Sequence, residues 1–69
     1  MDKLIINNNV RTLRFMNNEM TQKDLAQAVG VSRQTIVAIE KGKYSPTLEL
    51  AFKIAMTFEK TIDEVFFVE

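Results

Sequence analysis

Apolar residues in this chain recur every three or four positions, which is the spacing of one face of an α-helix. One such stretch begins at Thr21 and ends at Gly30, and a second begins at Ser32 and ends at Gly42. Glycine suits the left-handed conformation that closes many helices. A third stretch begins at Thr47 and has the longest apolar stripe: Leu48, Ala51, Ile54, Ala55 and Phe58. The pattern therefore predicts three well-marked helices.

Hydroxyl side chains stand at the predicted helix starts. Thr21 with Asp24, and Thr61 with Glu64, have the spacing of a capping box, in which each residue satisfies a backbone N–H of the other. The second box predicts a short final helix that contains Ile62, Val65 and Phe66. Near the start of the chain, an asparagine among residues 7–9 can cap a helix with Val10, Leu13 and Met16 on its apolar side. Five helices are therefore expected.

The remaining large apolar side chains are expected in the core rather than in a ligand pocket: Met16, Met20, Phe52, Met56 and Phe58. Two short segments near the chain ends, 4–6 and 66–68, are rich in β-branched and aromatic residues. They could pair as a two-stranded antiparallel ribbon, or they could pack on the core as apolar tails. The sequence leaves both arrangements open.

The composition excludes most enzyme chemistry. The 69 residues contain no cysteine and no histidine, so the chain has no thiolate nucleophile, imidazole base or disulfide, and no usual zinc site. We expect one domain over residues 1–69, with no catalytic residues, cofactor or metal. No segment approaches the ~20 apolar residues of a membrane span, and no signal peptide is visible. A soluble cytoplasmic protein is the default expectation.

The net charge is zero, but its distribution is uneven. Residues 1–53 carry eight basic and five acidic side chains, whereas residues 54–69 have an excess of three acidic ones. This asymmetry permits phosphate contact on one side of the molecule, although it is weaker than the charge of a strongly basic domain. Charge alone therefore does not decide whether the partner is a nucleic acid.

The segment 22–41, QKDLAQAVGVSRQTIVAIEK, has the pattern of a helix-turn-helix. The small Ala26 lets the two helices pack closely, and Gly30 permits the left-handed turn between them. This segment, with its flanks over about residues 7–66, resembles the XRE family of transcriptional regulators, which includes phage repressors and Cro proteins. It looks like a subgroup of very short bacterial and archaeal regulators that includes the cytolysin repressor of enterococci. The segment from Arg14 to Thr21 is about one residue longer than is usual in the family.

The resemblance implies a five-helix fold of the lambda-repressor type and a role as a sequence-specific DNA-binding regulator. The helix from Ser32 to Lys41 would be the recognition helix in the major groove. Arginine pairs well with guanine and glutamine with adenine, and small apolar side chains can contact thymine methyl groups. The base-reading residues expected from this are Arg33, Gln34, Val37 and Ala38.

Other family positions imply contacts with DNA phosphates, which set the register of the protein without reading sequence. The residues concerned are Gln22, Ser32, Thr35, Lys41, Lys43 and Tyr44. Ser32 and Thr35 have a competing structural role, since they lie at the cap and in the first turn of the recognition helix. Arg14 and Glu40 are expected to pair with each other and to brace the first helix against the recognition helix.

A core of this size supplies only about 3 to 5 kcal/mol, and self-association would add to it. We expect part of the segment Val65, Phe66, Phe67 and Val68 to form a homodimer interface, joined by residues of the Thr47 helix. Such a dimer would bind an inverted repeat and act most simply as a repressor.

Two alternatives remain open: an antitoxin whose main partner is a toxin, and a scaffold that has lost DNA binding. No membrane partner or small-molecule ligand is indicated.

Overall fold

The computed structural model describes residues 4–69, in which five helices follow one short strand and precede another. The elements are β1 (Ile6–Asn8), α1 (Val10–Met16), α2 (Gln22–Val29), α3 (Arg33–Glu40), α4 (Leu48–Thr57), α5 (Ile62–Val65) and β2 (Phe66–Val68). The predicted number and order of helices are confirmed. Among these residues, no helix has the length and apolar character needed to cross a bilayer.

The helices begin at the hydroxyl residues that the sequence marked. The Thr21 hydroxyl accepts from the Asp24 N–H at 2.9 Å, and the Asp24 carboxylate accepts from the Thr21 N–H at 3.2 Å. Ser32 and Thr47 cap α3 and α4 by accepting the N–H of the third residue that follows each of them. Each cap satisfies a backbone donor that a helix start would otherwise leave unpaired.

The core is built mainly from residues of α2, α3 and α4, and α1 and α5 each add one buried valine. Its fully buried side chains of greatest volume are Leu25, Ile36, Ile39, Ile54, Val10 and Val65. Smaller residues, including Ala26 and Ala55, let the helix backbones approach one another. Burial of apolar surface contributes roughly 25 cal/mol for each Å² removed from water, so these side chains supply most of the stabilisation.

The two chain ends pair as an antiparallel ribbon, which decides between the two arrangements that the sequence left open. Ile6 is opposite Val68, and Asn8 is opposite Phe66. The first strand lies two residues later than the apolar run 4–6, because the asparagines at 7 and 8 supply part of it. The sequence assigned Phe66 both to the final helix and to the apolar segment 66–68, and the structure places it in β2.

Four apolar side chains that were expected on the core side are exposed instead. Leu48, Phe52 and Met56 recur every four residues along one face of α4, while Leu50, Ala51, Ile54 and Ala55 bury the opposite face. Met16 is 75% exposed because α1 ends there and the chain turns away through residues 17–19. The longer connection between α1 and α2 includes Asn18 and Glu19, both in the left-handed region at φ near 55° (56° and 54°).

Candidate nucleic-acid interface

The helices α2 and α3 are joined by a tight turn that fixes their relative position. Gly30 has φ of 78°, and its N–H and that of Val31 both donate to the Ala26 carbonyl, at 2.9 and 3.0 Å. Ala26 is buried between the helices. A larger side chain at position 26 would separate them, and a Cβ at position 30 would strain the left-handed turn. This is the helix-turn-helix geometry that the sequence pattern predicts.

The first turn of α3 projects into solvent. The Ser32 hydroxyl accepts from the Thr35 N–H at 3.2 Å and lies 3.0 Å from the Thr35 hydroxyl. Arg33 and Gln34 follow this cap, and both side chains are exposed. On the inner side of the same turn, Ile36 is fully buried. Packing therefore fixes the helix while its two longest polar side chains stay available to a ligand.

An open groove runs along one side of α3, between this helix, α1 and the start of α2. Arg33 and Val37 line it from α3, and Lys41 lines it from the position directly after the helix. They are spaced four residues apart, so they form one face of the helix. Gln34 directly follows Arg33 in sequence, and Ala38 directly follows Val37. Both therefore lie on a neighbouring face of the helix, and neither lines the groove. The structure thus brings two of the four predicted base-reading residues, Arg33 and Val37, onto the groove with Lys41.

A largely buried ion pair lines this groove. The Arg14 guanidinium donates to the Glu40 carboxylate twice, from Nε at 2.6 Å and from Nη2 at 3.0 Å, and its Nη1 donates to the Met20 carbonyl at 2.9 Å. The two side chains are only 14% and 9% exposed. The predicted brace between the first helix and α3 is therefore present, and it leaves neither charge free to meet a phosphate.

Gln22, a predicted phosphate contact, joins the same network. Its amide nitrogen donates to a Glu40 oxygen at 3.2 Å. An amide nitrogen carries two N–H groups, so one remains available after this bond. Glu40 therefore orients the Gln22 side chain at the first residue of α2, on the wall of the groove.

Apart from Gln22 and Lys41, the predicted phosphate contacts lie outside the groove. Lys43 is exposed in the loop after α3, and its N–H donates to the Ala38 carbonyl at 2.9 Å. Tyr44 is 44% exposed and lies beside a small cavity next to the ribbon. Thr35 is half-buried and bonded to Ser32. These residues adjoin α3 without sharing the face that carries Arg33.

The groove also contains residues that the sequence analysis did not single out. Arg11, Thr12 and Phe15 line it from α1, and Lys23 lines it from α2. Arg11 stands three residues before Arg14, and Lys23 directly follows Gln22. Each of these two residues is therefore close in sequence to a residue with a predicted role. The exposed Phe15 had no such signal, because an aromatic residue in an amphipathic helix ordinarily faces the core.

The groove is more basic than the chain as a whole. Four exposed basic side chains line it: Arg11, Lys23, Arg33 and Lys41. Among residues 4–69 none of these four forms an ion pair, and Glu19 is the only exposed acidic residue that lines the groove. A surface that concentrates unpaired positive charge attracts a polyanion even when the net charge of the chain is zero.

The terminal ribbon is tied to the end of α3 by a single side chain. The Asn8 amide donates to the Ile39 carbonyl at 3.0 Å, and its carbonyl oxygen accepts from the Val10 N–H at 3.1 Å. Of the four residues expected at a dimer interface, Val65 is fully buried within the subunit and Phe66 is half-buried. Only Phe67 and Val68 are exposed enough to meet a second subunit.

The chain is similar to known transcriptional regulators. A family model described as helix-turn-helix matches residues 11–65. An uncharacterised HTH-type transcriptional regulator of Methanocaldococcus jannaschii is 55% identical over 62 residues, which cover 90% of this chain and 92% of the relative. The HTH-type regulator YgzD of Bacillus subtilis is 49% identical over 49 residues, covering 71% of this chain and 74% of YgzD.

A repressor is also among the similar proteins. The cryptic phage CTXphi transcriptional repressor RstR of Vibrio cholerae is 36% identical over 56 residues, which cover 81% of this chain and 50% of the repressor. The family match over residues 11–65 includes the whole helix-turn-helix segment.

Proposed function

The chain belongs to the helix-turn-helix family of transcriptional regulators, and on this premise we propose that it is a repressor that binds an operator of defined sequence through α3. The observation that carries the proposal is the basic groove beside α3, where the exposed first turn of that helix meets unpaired cationic side chains. The similarity to RstR supports repression rather than activation. The proposed place of action is the cytoplasm, where bacteria and archaea keep their DNA.

In the proposed complex, α3 lies in the major groove with its first turn against the base edges. Arg33 would pair with a guanine and Gln34 with an adenine, each contributing about 1 to 3 kcal/mol of discrimination against other bases. Val37 and Ala38 are half-buried and apolar, so they suit contact with thymine methyl groups. Together these residues would read adjacent base pairs within one half-site.

Phosphate contacts on both sides of α3 would set its register. Gln22 at the start of α2 and Ser32 at the start of α3 can donate to one strand, as can the Thr35 hydroxyl. Lys41, Lys43 and Tyr44 follow α3 and would meet the other strand. Because Glu40 already orients Gln22, this side chain would need little ordering when it binds.

We propose that the protein binds DNA as a homodimer. Phe67 and Val68 expose apolar surface at the ribbon, and Leu48, Phe52 and Met56 expose an apolar stripe along α4. Exposed apolar surface of this extent commonly marks an interface. Two-fold pairing of these surfaces would present two recognition helices to half-sites about 34 Å apart, or a multiple of that distance, in an inverted repeat.

The test is fluorescence anisotropy with the DNA upstream of the protein's own gene and a scrambled duplex of equal length, at several salt concentrations. The proposal predicts tighter binding to the native duplex, with affinity that falls as salt rises. Weak and equal affinity for both duplexes would count against the proposal. The proposal would be contradicted if duplexes selected for binding from a random library also bound no more tightly than the scrambled duplex.

A further inference from the structure

Phe15 occupies an unusual position for an aromatic side chain. It is 67% exposed although it lies on α1, a helix whose Val10 is fully buried in the core. Its neighbour Met16 is 75% exposed as well, but only Phe15 lines the groove beside α3. Exposure of a Phe ring to water is unfavourable. A ligand that covers the ring in this groove would therefore gain affinity, because it removes apolar surface from water.

Basic side chains flank Phe15 within the groove. Arg11 precedes it by four residues, so the two side chains lie on the same face of α1. Lys23 lines the groove from the first turn of α2. Glu19, which follows α1 and stands four residues after Phe15, also lines the groove, and its carboxylate repels phosphate. The end of this face of α1 that favours a polyanion is therefore the one that carries Arg11.

The chemistry of this part of the groove matches the backbone of a DNA strand. Along the strand, anionic phosphates alternate with deoxyribose rings, whose carbon atoms present an apolar surface. Arg11 and Phe15, one turn apart on α1, offer a charged group and an apolar group in the same succession, and Lys23 adds a second cation to the groove. The groove is lined on its other side by Arg33 and Val37 of α3 and by Lys41 directly after it, so a strand that borders the major groove occupied by α3 would pass along α1.

We infer that α1 forms a second DNA contact, in which Phe15 packs on a deoxyribose of the strand bordering the recognised major groove while Arg11 and Lys23 bind the adjacent phosphates. The inference rests on the proposed function, since it requires α3 to lie in the major groove. The contact reads no base, and it therefore increases affinity for specific and non-specific DNA alike.

Four single variants test this contact by anisotropy on the upstream duplex and on its scrambled counterpart. Phe15→Ala is expected to weaken binding to both duplexes about three- to tenfold, with an unchanged dependence on salt because no charge is lost. Arg11→Ala is expected to weaken both and to reduce the slope of log affinity against log salt by about one. Met16→Ala removes an equally exposed apolar side chain outside the groove, so it should leave both affinities unchanged.

The fourth variant, Arg33→Ala, separates this inference from the proposed function. Loss of sequence preference in Arg33→Ala, together with wild-type affinity in Phe15→Ala, would overturn the α1 contact and leave the role of α3 intact. Absence of DNA binding by the unsubstituted protein would overturn both. Thermal unfolding of each variant checks that its fold is retained, which is expected because Phe15, Arg11 and Met16 are all exposed.

Discussion

Three donors surround the carboxylate of Glu40, and they come from two different helices. Arg14 on α1 supplies two of them and Gln22 on α2 supplies the third, while Glu40 itself is the last residue of α3. One side chain therefore fixes the relative positions of the three helices that line the groove. Because the pair is largely buried, removing one partner leaves the other charge without compensation.

Arg14→Ala is accordingly expected to destabilise the protein by about 3 kcal/mol, measured by urea unfolding. The matched control is Lys53→Ala, which breaks the exposed pair with Glu49 and should cost less than about 1 kcal/mol. Replacing both Arg14 and Glu40 by Met should cost less than Arg14→Ala alone. Equal effects of Arg14→Ala and Lys53→Ala would show that the pair does not brace the helices.

Arg33 and Lys43 are both exposed, but we expect them to act differently on DNA. Arg33→Ala should lose about 1 to 3 kcal/mol on the preferred duplex and much less on a scrambled one, because it removes a base contact. Lys43→Ala should weaken binding to both duplexes alike and lower the salt slope by about one. Anisotropy titrations measure both effects. Equal losses on the two duplexes for Arg33→Ala would contradict its role in reading bases.

At the scale of elements, local signals predicted the helix starts well. Thr21, Ser32 and Thr47 all form the expected cap bonds, because capping depends on residues within one turn of each other. The α4 side chains that are exposed against the prediction, Leu48, Phe52 and Met56, have a spacing compatible with either face of the helix. Which face is buried depends on packing against other helices, and local spacing does not encode it.

The sequence predicted part of the candidate site, as it predicted the helix starts but not the buried face of α4. Its α3 residues followed from the helix-turn-helix pattern, whereas Arg11 and Phe15 enter the groove only because α1 packs beside α3. The Asn8 bond to the Ile39 carbonyl was also beyond prediction, since 31 positions separate these residues in sequence. Contacts of this kind arise from the fold rather than from any local motif.

The cap of α5 makes a small part of the stability dependent on pH. The Thr61 N–H donates to the Glu64 carboxylate at 2.8 Å, and this bond lowers the pKa of Glu64 below its ordinary value of 4.5. The Thr61 hydroxyl likewise lowers the pKa of Asp63 by donating to its carboxylate at 2.6 Å. A pKa that is lower in the folded state stabilises the fold above the unfolded-state pKa, and the effect disappears as pH falls through the folded-state value.

Urea unfolding of the wild type should therefore show declining stability as the pH falls below about 4.5. Glu64→Gln should be less stable at pH 7 and should show a smaller decline in acid. Glu69→Gln removes one charge near the chain end and serves as the control. Identical pH profiles for Glu64→Gln and the wild type would contradict the cap assignment.

At the scale of the whole molecule, two surfaces differ in character. The groove beside α3 is basic, and α4 with the ribbon exposes apolar side chains. This separation suits a protein that binds DNA with one surface and a second copy with another. Asn8 links the two, because it belongs to the ribbon and bonds to the end of α3.

Sedimentation equilibrium tests the proposed dimer. The wild type is expected at twice the 7.9 kDa mass of one chain. Met56→Asp places a charge on the exposed stripe of α4 and should shift the mass towards the monomer, because burying an unpaired carboxylate is unfavourable. Phe15→Asp, at an exposed site in the groove, should leave the mass unchanged. A monomer mass for the wild type at all concentrations would contradict the dimer.

Amide chemical-shift mapping by NMR tests whether α3 and the groove beside it bind DNA. The ¹⁵N-labelled protein is titrated with the upstream duplex at low salt. The largest shifts are expected at residues 32–38, at the start of α2 and along the groove side of α1, with little change in α5. Shifts confined to α4 and the ribbon, or no shifts at saturating duplex, would contradict DNA binding through α3.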